Sequence, residues 1–190
     1  MKSRVREMNR VSSTLIRGVR RSGSSDDDLF EALAVVLSRM RDRPVVLRRA
    51  DFPPETVSGL WLNLPDMDVI AVRRDAAGRE HEDVILGHEI WHMLRGHEGV
   101  HTATGLRAAA RSDAHRALHS AVAALRLAGP RHEHLSVMAR SDFHQEQEAE
   151  AEAFGLRFAT DLRLLRMQHH RPGHDVGWRI QDSVGPGSWT

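Results

Sequence analysis

The stretch Val84-Ile85-Leu86-Gly87-His88-Glu89-Ile90-Trp91-His92-Met93-Leu94 restricts what this chain can become more than any other. His88 and His92 are four positions apart, so on a helix they stand one turn apart on the same face. Both imidazoles can then aim at one point. Glu89 follows the first of them and lies beside that point without being required at it. Two neutral ring nitrogens suit a divalent metal ion, Zn²⁺ above all. The adjacent carboxylate suits removal of a proton from water. The chain holds 13 His, so composition alone could place two of them at this spacing as hydrogen-bonded core residues. The setting argues otherwise. Ile85, Leu86, Ile90, Trp91, Met93 and Leu94 make the helix apolar enough to be buried, and burying His and Glu without partners is costly.

Composition excludes several alternatives. A chain of 190 residues fits one domain with a full core. Its 27 Lys and Arg nearly balance 26 Asp and Glu, which argues against a uniformly basic nucleic-acid binder. Lys2 is the only lysine, an arginine bias of the kind a GC-rich genome produces. There is no cysteine, hence no disulfide, thiolate metal site or Cys nucleophile. There is no tyrosine, so a side chain holding a developing oxyanion must be another donor, such as His or Arg. No apolar run reaches the length of a membrane span and no secretory h-region opens the chain. The expectation is a soluble, cytoplasmic protein without membrane contact.

The pattern predicts an α+β fold, mostly helical, with a small three-stranded, at least partly antiparallel sheet packed on the His-Glu helix. Residues 1–25 form a basic segment whose apolar residues fall near helical spacing. It could dock on the core, on a partner or on an anionic surface. Residues 26–170 form the main domain, with an insert at about 97–140, and 171–190 a Gly- and Pro-containing tail. Within the domain, Leu29, Leu33, Val36, Leu37 and Met40 mark a helix ending near Arg41. Strands are expected at 44–49, 57–64 and 69–73, the last two as a hairpin through Pro65-Asp66-Met67-Asp68. The His-Glu helix runs from about Glu80 to Gly96. An Ala-rich helix covers about 106–127, a long helix runs from 141 or 142 to about Met167, and a short one lies within 176–184.

Two histidines need a third protein ligand. The compact metzincin arrangement would place Gly and His at positions occupied by Arg95 and Glu98. His115 and His119 share a face but have no carboxylate set between them and read as surface residues. Glu148 is the better candidate. Ala151, Gly155 and Ala159 continue its helix face, and small residues there allow close approach of the His-Glu helix. Glu150 points away. Glu152, one turn from Glu148, would steady a ligand His from behind. His144, one turn before Glu148, is the candidate oxyanion donor. Gly59, Leu60, Trp61 and Leu62 are the candidate substrate strand: a peptide would add to its edge, close to Gly59 and against Trp61.

Two segments together resemble the ImmA/IrrE family of small zinc metallopeptidases. They are the His-Glu-x-x-His helix and Glu148-Ala149-Glu150-Ala151-Glu152-Ala153-Phe154-Gly155, which is similar to that family's Glu-x-Glu-Ala-(Asp/Asn)-x-Phe-Ala. The helix and strands of 28–74 also resemble its layout, so the resemblance covers about 28–167. Glu152 stands where Asp or Asn is usual, and His92 and Glu148 are unusually far apart. The resemblance implies regulatory proteolysis of a partner helix-turn-helix repressor. The residues by themselves imply metal-assisted hydrolysis of a polar bond, with His88, His92 and Glu148 on the metal and Glu89 as general base. The alternatives are a non-catalytic zinc-containing regulator that binds a partner protein or DNA, and a zinc hydrolase acting on a small amide. The balanced charge makes direct nucleic-acid binding the weaker partner expectation.

Overall fold

The computed structural model describes residues 2–23, 28–52, 58–97 and 143–169. In chain order they form α1 (Lys2–Ser22), α2 (Leu29–Arg41), β1 (Val45–Ala50), β2 (Gly59–Asn63), β3 (Asp68–Arg73), α3 (Arg79–Arg95) and α4 (Phe143–His169). The fold is α+β with a mixed three-stranded sheet, and no described helix is long and apolar enough to cross a membrane. The expected helices at 106–127 and 176–184, with His115 and His119, lie outside the described residues.

β3 takes the middle of the sheet, parallel to β1 and antiparallel to β2. Val69, Ile70, Ala71 and Val72 are all buried; an uninterrupted apolar run is what a middle strand covered on both faces requires. The β2–β3 hairpin closes where Leu64 N–H donates to Met67 O at 2.9 Å. Leu47, Ile70 and Trp61 stand in register across the three strands and join the same core as α3. A buried carboxylate anchors one end of the sheet: Asp68 accepts from Trp61 Nε1 at 3.0 Å and from Arg41 Nε at 3.0 Å.

The basic N-terminal segment docks on this core. Met8, Ser12, Leu15 and Val19 recur at helical spacing on α1 and are buried. Met8, Leu15 and Val19 belong to the same apolar cluster as residues of α2 and α4, and Ser12 Oγ donates to Asp161 Oδ2 at 2.6 Å. Of the docking options the sequence leaves open, the described residues show α1 against the core.

α3 and α4 approach each other closely, as the seam of small residues predicts. A Cβ on Gly155 would stand 2.6 Å from Val84 O, and one on Gly87 would stand 2.9 Å from Gly155 Cα. Beside the glycines, Trp91 stacks on Phe154 with centroids 4.7 Å apart. Further along, Arg166 forms a two-pronged ion pair with Asp83, Nη2 lying 3.0 Å from Oδ1. Burial outweighs this partner and leaves the Asp83 carboxyl above the usual range.

Candidate metal centre

α3 is buried on nearly every side from Asp83 to Met93, so its polar residues reside in the core. His88 is 5% exposed, and Glu89 and His92 are 0% exposed. One turn of helix brings the two Nε2 atoms to 3.0 Å. α4 delivers Glu148 against them, with Oε2 at 3.5 Å from His88 Nε2 and Oε1 at 3.5 Å from His92 Nε2. The three residues form a group that could hold a metal ion. The separations suit one: two ligands on a tetrahedral ion, each bonded at about 2.0–2.1 Å, stand roughly 3.3 Å apart. Glu148 remains partly exposed, so the group opens to solvent on the α4 side.

Glu89 supplies the second test of fit. Its carboxylate is wholly buried, and neither oxygen has a hydrogen-bond partner among the described residues. Burial first, then repulsion from Glu148, pushes its carboxyl well above the usual range. The Trp61 main chain approaches and opposes this slightly, yet it does not meet either oxygen in hydrogen-bond geometry. A cation held by His88, His92 and Glu148 would offset both effects, and the nitrogen and carboxylate donors suit a divalent transition metal.

Gly59 explains how the sheet reaches this point. A Cβ there would fall 2.5 Å from Ile85 Cγ2 and 2.8 Å from Glu89 Oε1, so only glycine lets α3 settle on β2. Among the described residues β2 is an edge strand. Its pairing has Arg73 N–H donating to Ser58 O and Leu64 N–H donating to Met67 O. Alternation along an antiparallel pair then turns the main-chain groups of Gly59, Trp61 and Asn63 toward the free edge. Among the described residues no further strand pairs with it.

Other expected residues stand apart. Trp61 is not an exposed contact for a ligand: it is 5% exposed, lies in the core and donates to Asp68. Leu60 and Leu62 are also buried, and Asn63 is the one exposed residue of this strand. Glu152 is exposed and makes no hydrogen bond to His88 or His92 among the described contacts; position 152 has turned past the α3 contact. Glu150 pairs with Arg4 Nη1 at 2.6 Å and faces α1. His144 lies in the first turn of α4, with its side chain outside the described part.

His97, at the start of the expected insert, is buried, with Nδ1 3.1 Å from Nδ1 of His92. The signal that could have found it is Gly96, because a glycine at a helix end in the left-handed conformation folds the next residue back over the last turn. No family model matches the chain, and neither a curated protein nor a solved structure is significantly similar to it.

Proposed function

We propose that the chain is a zinc-dependent endopeptidase with a narrow regulatory substrate, a partner helix-turn-helix repressor. The observation that carries the reading is Glu89, a buried carboxylate without a hydrogen-bond partner among the described residues, set beside the His88–His92–Glu148 group and against Gly59 of β2. A site that served folding alone has no use for such a group. The repressor as substrate comes from the resemblance to ImmA/IrrE peptidases.

His88, His92 and Glu148 would hold zinc, which when bound activates water and polarises the scissile carbonyl. The outward main-chain groups of Gly59, Trp61 and Asn63 hold an extended peptide by strand addition. Glu89 takes a proton from the attacking water as its oxygen bonds to the carbonyl carbon. It returns that proton to the amine nitrogen as the C–N bond breaks. His144 is the donor proposed for the oxyanion.

The test is Glu89→Gln, which keeps shape and removes the base. Zinc content and fold should be unchanged while cleavage falls by about two to four powers of ten. Unaltered derepression in cells by this variant would remove proteolysis as the function. A second reading is a zinc-containing regulator that binds DNA or an acidic partner. It draws on Arg6, Arg10, Arg17, Arg20 and Arg21, all exposed on α1, and predicts salt-sensitive binding that Glu89→Gln leaves intact.

A further inference from the structure

We propose that His97 is a positioning residue that sets the ring of His92 for metal binding; this rests on the metal-centre reading above. The two nitrogens of His92 face opposite ways. Its Nε2 points at His88 Nε2 and Glu148 Oε1, and its Nδ1 points at His97 Nδ1, 3.1 Å away. His97 is thus on the far side of the ring from Glu148 and does not join the ligand group through that nitrogen. A neutral imidazole can bind a metal through Nε2 only when its proton is on Nδ1. That proton then needs an acceptor, and a backbone carbonyl or carboxylate commonly provides it. Here the facing group is the lone pair of His97 Nδ1, with the His97 proton on its own Nε2. The tautomers follow from this hydrogen-bond logic.

The backbone is built for this contact. α3 ends at Gly96, which has φ of 64°. Gly96 N–H donates to Met93 O at 3.3 Å and His97 N–H donates to His92 O at 3.0 Å. This is the paired closure in which the second residue past a helix end bonds back to the third residue from its terminus. The partner of that main-chain bond is His92 itself. His97 therefore grips His92 twice, by its own N–H and by its ring, the two rings meeting edge-on at 5.2 Å between centroids. An apolar contact usually accompanies such a turn; here two buried imidazoles take its place. Glu152, the residue the sequence suggests for steadying a ligand His, is exposed, which leaves the role to His97.

The experiment compares shape-matched substitutions in the full chain. Asn places a carbonyl oxygen where His carries Nδ1, whereas Leu has the same branching and no acceptor. Zinc affinity, measured by chelator competition, should fall about 10–100-fold in His97→Leu and return toward the wild-type value in His97→Asn. Gly96→Ala keeps the imidazole but strains the turn, and its affinity should lie between those of the wild type and His97→Leu. Thermal melting of the metal-free forms accompanies each measurement. If His97→Leu does not fold, the comparison of wild type, His97→Asn and Gly96→Ala decides, and wild-type affinity in Gly96→Ala overturns the proposal. Equal zinc affinity in wild type and His97→Leu also overturns it, as does equal loss in Leu and Asn, which would make the contact mere packing. A wild-type chain that binds no zinc overturns the metal centre along with this inference, whereas zinc binding indifferent to position 97 overturns this inference alone.

Discussion

α3 and α4 bring the same kind of chemistry to one point by opposite means. α3 carries His88, Glu89 and His92 inside the core, where sheet and neighbouring helices hold each side chain. α4 carries Glu148 near its start, with about a third of the side chain exposed. That carboxylate is placed by contacts further along its helix: the Gly87–Gly155 approach and the Asp83–Arg166 pair. Residues in α3 are therefore positioned by being buried, and Glu148 by the docking of a whole helix. Damage to the floor beneath α3 should act through stability, and damage to α4 through the site.

The largest effect is expected at that floor. Trp61→Ala removes a core indole and leaves Asp68 short of a donor, and should cost about 3–5 kcal/mol in chemical denaturation. A change small enough to pass for a surface substitution would return Trp61 to the role of a substrate contact. Gly155→Ala should act at the seam. The added methyl meets the carbonyl of Val84, which can yield only if the helices part, at a cost of about 1–3 kcal/mol. Zinc affinity should drop with it, because Glu148 moves with α4. Undiminished zinc binding in a destabilised Gly155→Ala would mean that Glu148 finds its place without the seam.

The smallest stability effects come at the exposed end of α4, and there the readout is metal. Glu148→Ala should lose most bound zinc while the metal-free protein melts where the wild type does or slightly above, since repulsion on Glu89 is relieved. Glu150→Ala should keep its zinc and lose at most about 1 kcal/mol, because its Arg4 partner is more than half exposed. Equal zinc content in the two variants would refute Glu148 as a ligand.

Much of the fold could be read from local pattern. The hairpin follows from Pro65-Asp66 between two apolar runs, and the extent of α3 from its apolar residues and the glycine that ends it. The α3–α4 contact was legible as Ala151 and Gly155 on one face with Glu148. What failed to show was environment at single positions. Trp61 sits in the apolar run Leu60-Trp61-Leu62, all of it buried, and such a run does not single out a residue that faces a ligand. Glu152 shares a nominal face with Glu148, but the line of contact between two crossing helices is narrower than that face. His97 has polar neighbours, which do not mark a buried position, yet the glycine before it returns it to His92.

The sequence by itself determined which residues share an element and a face: His88 with His92, Glu148 with Ala151 and Gly155, and Gly59 within a strand ahead of the helix. These depend on helix and strand periods, which are local geometry. Only the tertiary structure decided that Trp61 closes the core and that, among the described residues, β2 is an edge and Glu89 lies against Gly59 without a hydrogen bond to either oxygen. It also decided that His97 stands behind His92. Those outcomes depend on how elements distant in sequence pack, and close packing admits one arrangement among several that the local periods allow equally.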